Sequence, residues 1–134
     1  NHIKEAGGSC DRVDQLRQTC GESVTILCGD DGLTLPFIAL GAKGVISVAS
    51  NLFPAEIAKL CALALAGKRA EAIALHHRFQ ALFKNLFIEP NPVPAKYAMS
   101  KLRLIASPEV RLPLCELSDT NRAILDKTLA GLSL

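Results

Sequence analysis

Lys4 closes the short run Asn1-His2-Ile3-Lys4, and its amine is the first candidate for chemistry in the chain. A lysine buried at a strand end is costly to keep charged, and burial moves its pKa down from about 10.4. The neutral amine can attack a ketone and form an imine. Two more strand ends follow, Gly29-Asp30-Asp31 and Ile46-Ser47. Active sites of parallel α/β sheets and barrels lie where strands end, so these three ends are expected on one rim. Position alone also allows Lys4 to be a solvated rim residue.

The neighbouring groups admit plainer roles. Gly29 at a strand end would let the backbone approach a ligand closely. Asp30 or Asp31 could join a divalent-cation site, but two adjacent carboxylates without acidic partners are a weak signal, and Asp31 is expected to cap the next helix. His76 and His77 are helix neighbours whose side chains diverge by about 100°, so both are expected on partly exposed helix surface. Lys96 and Tyr97 are read as packing at a helix start. Cys10, Cys20, Cys28, Cys61 and Cys115 include no close pair, so no metal site is expected. They read as small buried hydrophobes in a reducing cytosol, which places the chain in the cytoplasm.

The elements that would position these groups begin as strand-loop-helix units. Ser9 is a fitting cap for a helix with apolar positions Val13, Leu16 and Cys20, and Gly21 is its stop. Residues 24–28 form an apolar β-rich run, 33–40 a short helix with Pro36 near its first turn, and 44–48 a third strand. Near-continuous apolar strands alternating with helices indicate parallel strands buried on both faces. The second half is helical. Pro54 opens a helix with stripe Ile57, Leu60, Cys61, Ala64 and Leu65, stopped by Gly67. A longer helix follows with Leu75, Phe79, Leu82, Phe83 and Leu86 on one face. The corner 89–94 is too rich in proline for a helix interior, and helices over 96–104 and 118–132 complete the chain, the last capped by Ser118. The expected division is 1–66 for the three βα units and 67–134 for the helical extension.

Composition narrows the function classes. The 134 residues are 49% hydrophobic and 21% charged, enough for a domain with a real core. A net charge of +2 without basic runs, and only five Phe, one Tyr and no Trp, argue against a nucleic-acid surface. Lys59 interrupts the apolar stretch 57–66, so nothing approaches the ~20 apolar residues of a membrane helix. Three strands leave unpaired edges and cannot close a barrel, and the chain opens inside a strand without an initiator Met. Both features are expected of part of a longer protein, the alternative being an open three-stranded unit stabilised by association.

Five motifs in order resemble the dihydrodipicolinate synthase family of pyruvate-dependent class I aldolases. They are Ile3-Lys4-Glu5-Ala6-Gly7-Gly8, Gly29-Asp30-Asp31, Gly44 to Asn51, Leu86 to Lys96, and Arg111-Leu112-Pro113-Leu114. The likeness runs through essentially the whole chain, and the Glu89-Pro90-Asn91-Pro92 corner favours the synthase over sialic-acid-type lyases. Gly7-Gly8 stands where threonine-glycine is commoner, and Ser50 where alanine is commoner.

The resemblance implies strands six to eight of a (β/α)8 TIM barrel followed by a C-terminal helical domain, in a homotetramer. It implies that Lys4 is the Schiff-base lysine and that Gly29 and Asp30 line the ketoacid pocket. It further implies that the Ile46 carbonyl faces the second substrate and that Asn91 supports the lysine from behind. The substrates implied are pyruvate and L-aspartate-4-semialdehyde, with no metal or other cofactor. The family's proton relay, carboxylate-binding arginine and lysine-feedback residues precede the lysine, so the N-terminal half of the enzyme is the implied partner and this chain alone is expected to be inactive. A sugar-acid aldolase of the same superfamily and a non-catalytic assembly module are the rival readings.

Overall fold

The structure, a computed structural model, describes residues 1–132, so the last two residues of the expected 67–134 unit lie outside it. Strand β1 (His2–Glu5) pairs in parallel with β2 (Thr25–Cys28), placing Lys4 opposite Leu27 and Glu5 opposite Cys28. Helix α1 (Asp11–Cys20) makes the crossover. The Ser9 hydroxyl accepts the Asp11 N–H at 3.2 Å, and Gly21 takes the stop at φ 56°, as expected of both residues. Arg17 then ties the crossover down by donating to the carbonyls of Gly21, Val24 and Gly41, each at 3.0 Å. Nothing in the helical pattern marks this residue out, because its three acceptors lie in loops.

The expected third strand over 44–48 is corrected. The segment joins β2 through Lys43 N–H to Ile26 O at 2.9 Å, Cys28 N–H to Gly44 O at 2.8 Å and Ile46 N–H to Cys28 O at 2.8 Å. The pairing amounts to one isolated parallel bridge, Cys28 to Val45. After Ile46 the backbone leaves the ladder, reaching helical angles at Val48 and a 3-10 turn over Ala49–Asn51. A side chain, Asp31, takes the N–H groups that would have continued the strand.

Helix α2 (Thr34–Ala39) precedes that segment and α3 (Pro54–Leu65) follows it, with Pro54 in the first turn where its missing N–H costs nothing. Gly67 sits at φ 72°, and the Lys68 N–H reaches back to Leu63 O at 2.9 Å, closing a Schellman-type end. On α3, Ile57 and Leu60 are buried and Cys61 and Ala64 half-buried, but Leu65 is exposed. At 3.6 residues per turn Leu65 lies roughly 80° round from Ile57, on the rim of the stripe.

Helix α4 (Arg69–Asn85) buries Phe79, Leu82 and Phe83, with Leu86 just beyond it and Leu75 half-buried. Phe79 meets Phe53 edge-on at 5.3 Å between centroids. Helix α5 (Val93–Lys101) starts three residues before the expected Lys96, because Pro94 fits a first turn. Helix α6 (Asp119–Ala130) starts after Ser118, but the Ser118 side chain does not cap it. The Glu89 carboxylate instead accepts the Ser118 N–H at 3.0 Å, the Ser118 hydroxyl at 2.7 Å and the Asn121 amide at 2.7 Å. Those bonds, the one from Asn121 foremost, hold the Glu89 carboxyl below its usual pKa.

Two apolar clusters result. The smaller joins Val13, Ile26, Cys28, Phe37 and Ala42 beneath the sheet. The larger runs from Ala49, Phe53 and Leu60 into α4, α5 and α6. The cysteines are less uniformly buried than expected: Cys28 is buried, Cys10, Cys20 and Cys61 are half-buried and Cys115 is exposed. Their loops and helix edges, rather than their chemistry, decide this.

The two histidines also part company. His77 is exposed, whereas His76 is half-buried, 5.6 Å from the Phe83 ring, with a covered Nδ1 that has no hydrogen-bond partner among the described residues. Burial, and secondarily His77, lowers its pKa from 6.5. The folded state therefore favours neutral imidazole, and unfolding takes up a proton once pH falls through 6.5. The stability this group contributes is present above that pH and declines below it. Urea midpoints measured from pH 7.5 down to about pH 5.5 are expected to fall less steeply in His76→Leu than in the native protein. Parallel slopes would remove His76 from the account.

No helix among the described residues is long and apolar enough to cross a membrane.

Candidate active site at the strand ends

Side chains alternate along a strand, so Lys4 and its neighbour Glu5 point to opposite faces. Lys4 is exposed and Glu5 is buried at 8%. Of the two possibilities for Lys4, the solvated one holds among the described residues: β1 is an outer strand here, and they provide no wall on its lysine face. Glu5 Oε1 accepts the Gly7 N–H at 2.6 Å, while Oε2 stands 3.5 Å from the Arg12 guanidinium. This buried carboxylate folds the Ala6-Gly7-Gly8 turn back onto the strand that carries the lysine. Sequence reasoning passed it over, although period-two alternation from Lys4 marks it.

Gly29 is the residue nearest in design to the lysine. Its N–H donates to Glu5 O at 2.8 Å, extending the ladder past β2. A Cβ at this position would lie 2.6 Å from Ala6 Cβ, 2.9 Å from Lys4 Cε and 3.1 Å from Glu5 O. The bare backbone of Gly29 is therefore what leaves room for the Lys4 side chain. The close approach seen at this glycine is to the lysine side chain, whereas the sequence suggested one to a ligand.

The capping role expected of Asp31 falls to its neighbour. Asp30, not Asp31, caps the following 3-10 turn, its Oδ1 accepting the Gly32 N–H at 3.2 Å. Its backbone carbonyl also accepts the Cys28 thiol at 3.0 Å. Asp31 is 2% exposed and accepts at Oδ2 the N–H groups of Val48 at 3.0 Å and Ala49 at 3.1 Å. It was missed because its partners lie 17 and 18 residues away, beyond the reach of a local pattern. Cys28 itself is no nucleophile, since burial pushes its thiol up to about 11.

Ile46 is 45% exposed, with its N–H bound to Cys28 O and its carbonyl taken by no donor among the described residues. Lys4, Gly29 and Ile46 are thus brought to one end of the paired segments through the Gly29–Glu5 and Ile46–Cys28 bonds. Asn91 is not bound into this group: it is exposed in the corner between α4 and α5, and no hydrogen bond joins it to Lys4. Lys96 donates to Glu109 O and Tyr97 to Asp126 at 3.0 Å, and both are engaged in packing of the helical half. Among the described residues no three His, Cys, Asp or Glu side chains gather closely enough to hold a metal ion.

The arrangement is that of a parallel α/β protein with an exposed lysine at a strand end, its side chain beside a glycine, and a strand-end carbonyl without a donor at the same end of the paired segments. The chain belongs to the dihydrodipicolinate synthetase family, whose model matches residues 2–132. It is 51% identical over 132 residues to the 4-hydroxy-tetrahydrodipicolinate synthase of Sulfurihydrogenibium sp. (strain YO3AOP1), covering 98% of this chain and 45% of the relative. The Persephonella marina enzyme of the same name is 50% identical over 127 residues, covering 95% and 43%. Among solved structures, the 4-hydroxy-tetrahydrodipicolinate synthase from Methylacidiphilum fumariolicum SolV superposes with a TM-score of 0.94 at 50% identity, covering 98% of this chain and 43% of that one. The dihydrodipicolinate synthase from Aquifex aeolicus gives 0.91 at 45% identity, covering 96% and 44%. The chain therefore spans a little under half the length of the relatives it matches.

Proposed function

We propose that this chain supplies the imine-forming lysine of a 4-hydroxy-tetrahydrodipicolinate synthase, a class I aldolase-type lyase of lysine and diaminopimelate biosynthesis. The observation that carries the reading is the family match over residues 2–132 with Lys4 packed against Gly29 at the shared strand ends. In this reading residues 1–66 are the last three βα units of a (β/α)8 barrel, strands six to eight, and 67–134 its helical extension. The other barrel wall, on the exposed face of Lys4, belongs to the N-terminal half, and the whole assembles as a cytoplasmic homotetramer.

The Lys4 amine attacks the ketone carbon of pyruvate, and loss of water leaves an iminium. The iminium draws electrons from the methyl group, which gives up a proton to form an enamine. The enamine carbon bonds to the aldehyde carbon of L-aspartate-4-semialdehyde, whose oxygen takes a proton. Attack of the semialdehyde's amino nitrogen on the iminium carbon closes the ring and returns Lys4 as a free amine. Gly29 gives the lysine side chain its space, and with Asp30 it lines the ketoacid pocket. The Ile46 carbonyl accepts a hydrogen bond from the second substrate.

Borohydride added with pyruvate to the complete enzyme is expected to fix the ketoacid on Lys4 as a secondary amine, read by peptide mass. The 14.3 kDa chain alone is expected to show no condensation, because general acid–base groups worth about 10²–10⁴-fold lie outside it. An unmodified Lys4 in the complete enzyme, or normal condensation by the isolated chain, would defeat the reading. Supplying sugar-acid substrates in parallel separates the synthase from other aldolases of the superfamily.

A further inference from the structure

Asp31 is the most buried of the charged side chains described, and it belongs to neither of the substrate pockets just proposed. Its Oδ2 spans from the end of β2 to the two successive N–H groups of Val48 and Ala49. The Thr34 hydroxyl donates to its backbone carbonyl at 2.9 Å, which fixes the turn it stands on. Its Oδ1 is covered and has no hydrogen-bond partner among the described residues. Burying a carboxyl oxygen without a donor is unfavourable, so ordinary packing does not account for an acid here.

The segment it grips supplies the reason. Ile46 is the last residue held by the ladder, through its N–H to Cys28 O. Beyond it, Ser47 is engaged only locally, its hydroxyl accepting the Ser50 N–H at 2.8 Å and its carbonyl accepting the Ser50 hydroxyl at 3.0 Å. The peptide between Ile46 and Ser47 thus lies between a ladder bond before it and the Asp31 bonds after it. Without the latter, only the local Ser47–Ser50 bonds restrain the Ile46 carbonyl from that side.

We propose that Asp31 is a positioning residue for the aldehyde substrate, its carboxyl bridging two strand-end loops so that the Ile46 carbonyl stays aimed at that substrate. This rests on the synthase reading above and adds to it a residue that never touches either substrate. Misaiming one acceptor weakens docking of the aldehyde while leaving the Lys4–ketoacid imine intact.

The test uses the complete enzyme with Asp31→Ala and Asp31→Asn. Asp31→Ala is expected to raise KM for the semialdehyde about tenfold, with borohydride trapping of pyruvate on Lys4 within about twofold of native. Asp31→Asn, whose amide oxygen can still accept both N–H groups, is expected to recover most of that loss. If Asp31→Ala does not fold, Asp31→Ser, with a shorter acceptor, stands in under the same criteria. A native KM in the variant, no recovery in Asp31→Asn, or trapping that falls in step with KM overturns the proposal. A native enzyme that traps no pyruvate overturns the synthase reading and this proposal together, whereas trapping with an unmoved KM overturns only this one.

Discussion

Lys4→Ala in the complete enzyme is expected to abolish the pyruvate adduct and to lower kcat on the order of 10⁴–10⁶-fold, the scale of losing a covalent nucleophile. The fold should hardly notice. The Lys4 side chain makes no hydrogen bond or ion pair among the described residues. Its backbone pairing opposite Leu27 does not depend on the side chain. Thermal unfolding within experimental error of the native enzyme, with the adduct absent by mass spectrometry, would separate chemistry from stability. A variant that still accumulates a borohydride-fixed adduct elsewhere would move the imine off Lys4. Lys4→Arg sharpens the contrast, because guanidinium keeps the charge and does not become the neutral amine that an imine requires.

Gly29→Ala is the second large effect, and it reaches the same amine by steric means. The added methyl would stand 2.6 Å from Ala6 Cβ, 2.9 Å from Lys4 Cε and 3.1 Å from the Glu5 carbonyl oxygen. The flexible Lys4 chain can swing aside, but Ala6 and the Glu5 backbone cannot without shifting the β1–β2 pairing. Either response moves the amine, and an ångström of displacement at a reacting atom can cost about 10²-fold. The expected signature is a loss of kcat/KM for pyruvate of that order, with slower trapping by borohydride. Unchanged trapping kinetics would mean that the gap at Gly29 has no bearing on the lysine.

How much of this was legible beforehand depended on how far each cause reached along the chain. Gly21, Pro54 and Gly67 mark helix ends through their own backbone chemistry, and each sits where it was expected. The register of Ile57, Leu60 and Phe79 is likewise local, a matter of 3.6-residue periodicity. The site was only half visible. Lys4, Gly29 and Ile46 fall at strand ends, which position in the chain discloses, and they do meet at one end of the sheet. What periodicity could not disclose is which face of β1 is walled, so it left Lys4 between a buried strand end and a solvated rim, and among the described residues it is exposed. Nor could it tell Asp30 from Asp31, adjacent and chemically identical, whose roles are decided by Gly32 beside one and by Val48 and Ala49 far from the other. Ser118 stands at the helix start as expected, but Glu89, 29 residues away, accepts its hydroxyl, and its side chain does not cap the helix.

The place where the two apolar clusters touch has a further meaning. Val45 packs against both, and it sits one residue before Ile46 in the segment tethered to β2. The helical half and the lysine-bearing sheet therefore lean on the same side chain, as two spans rest on a common pier. Interiors packed as densely as crystals transmit small displacements rather than absorbing them. Repacking around Phe79 or Leu125 is expected to shift that pier and with it the carbonyl beside it. Substitutions in the helical half are then expected to move strand-end groups that this half does not contain.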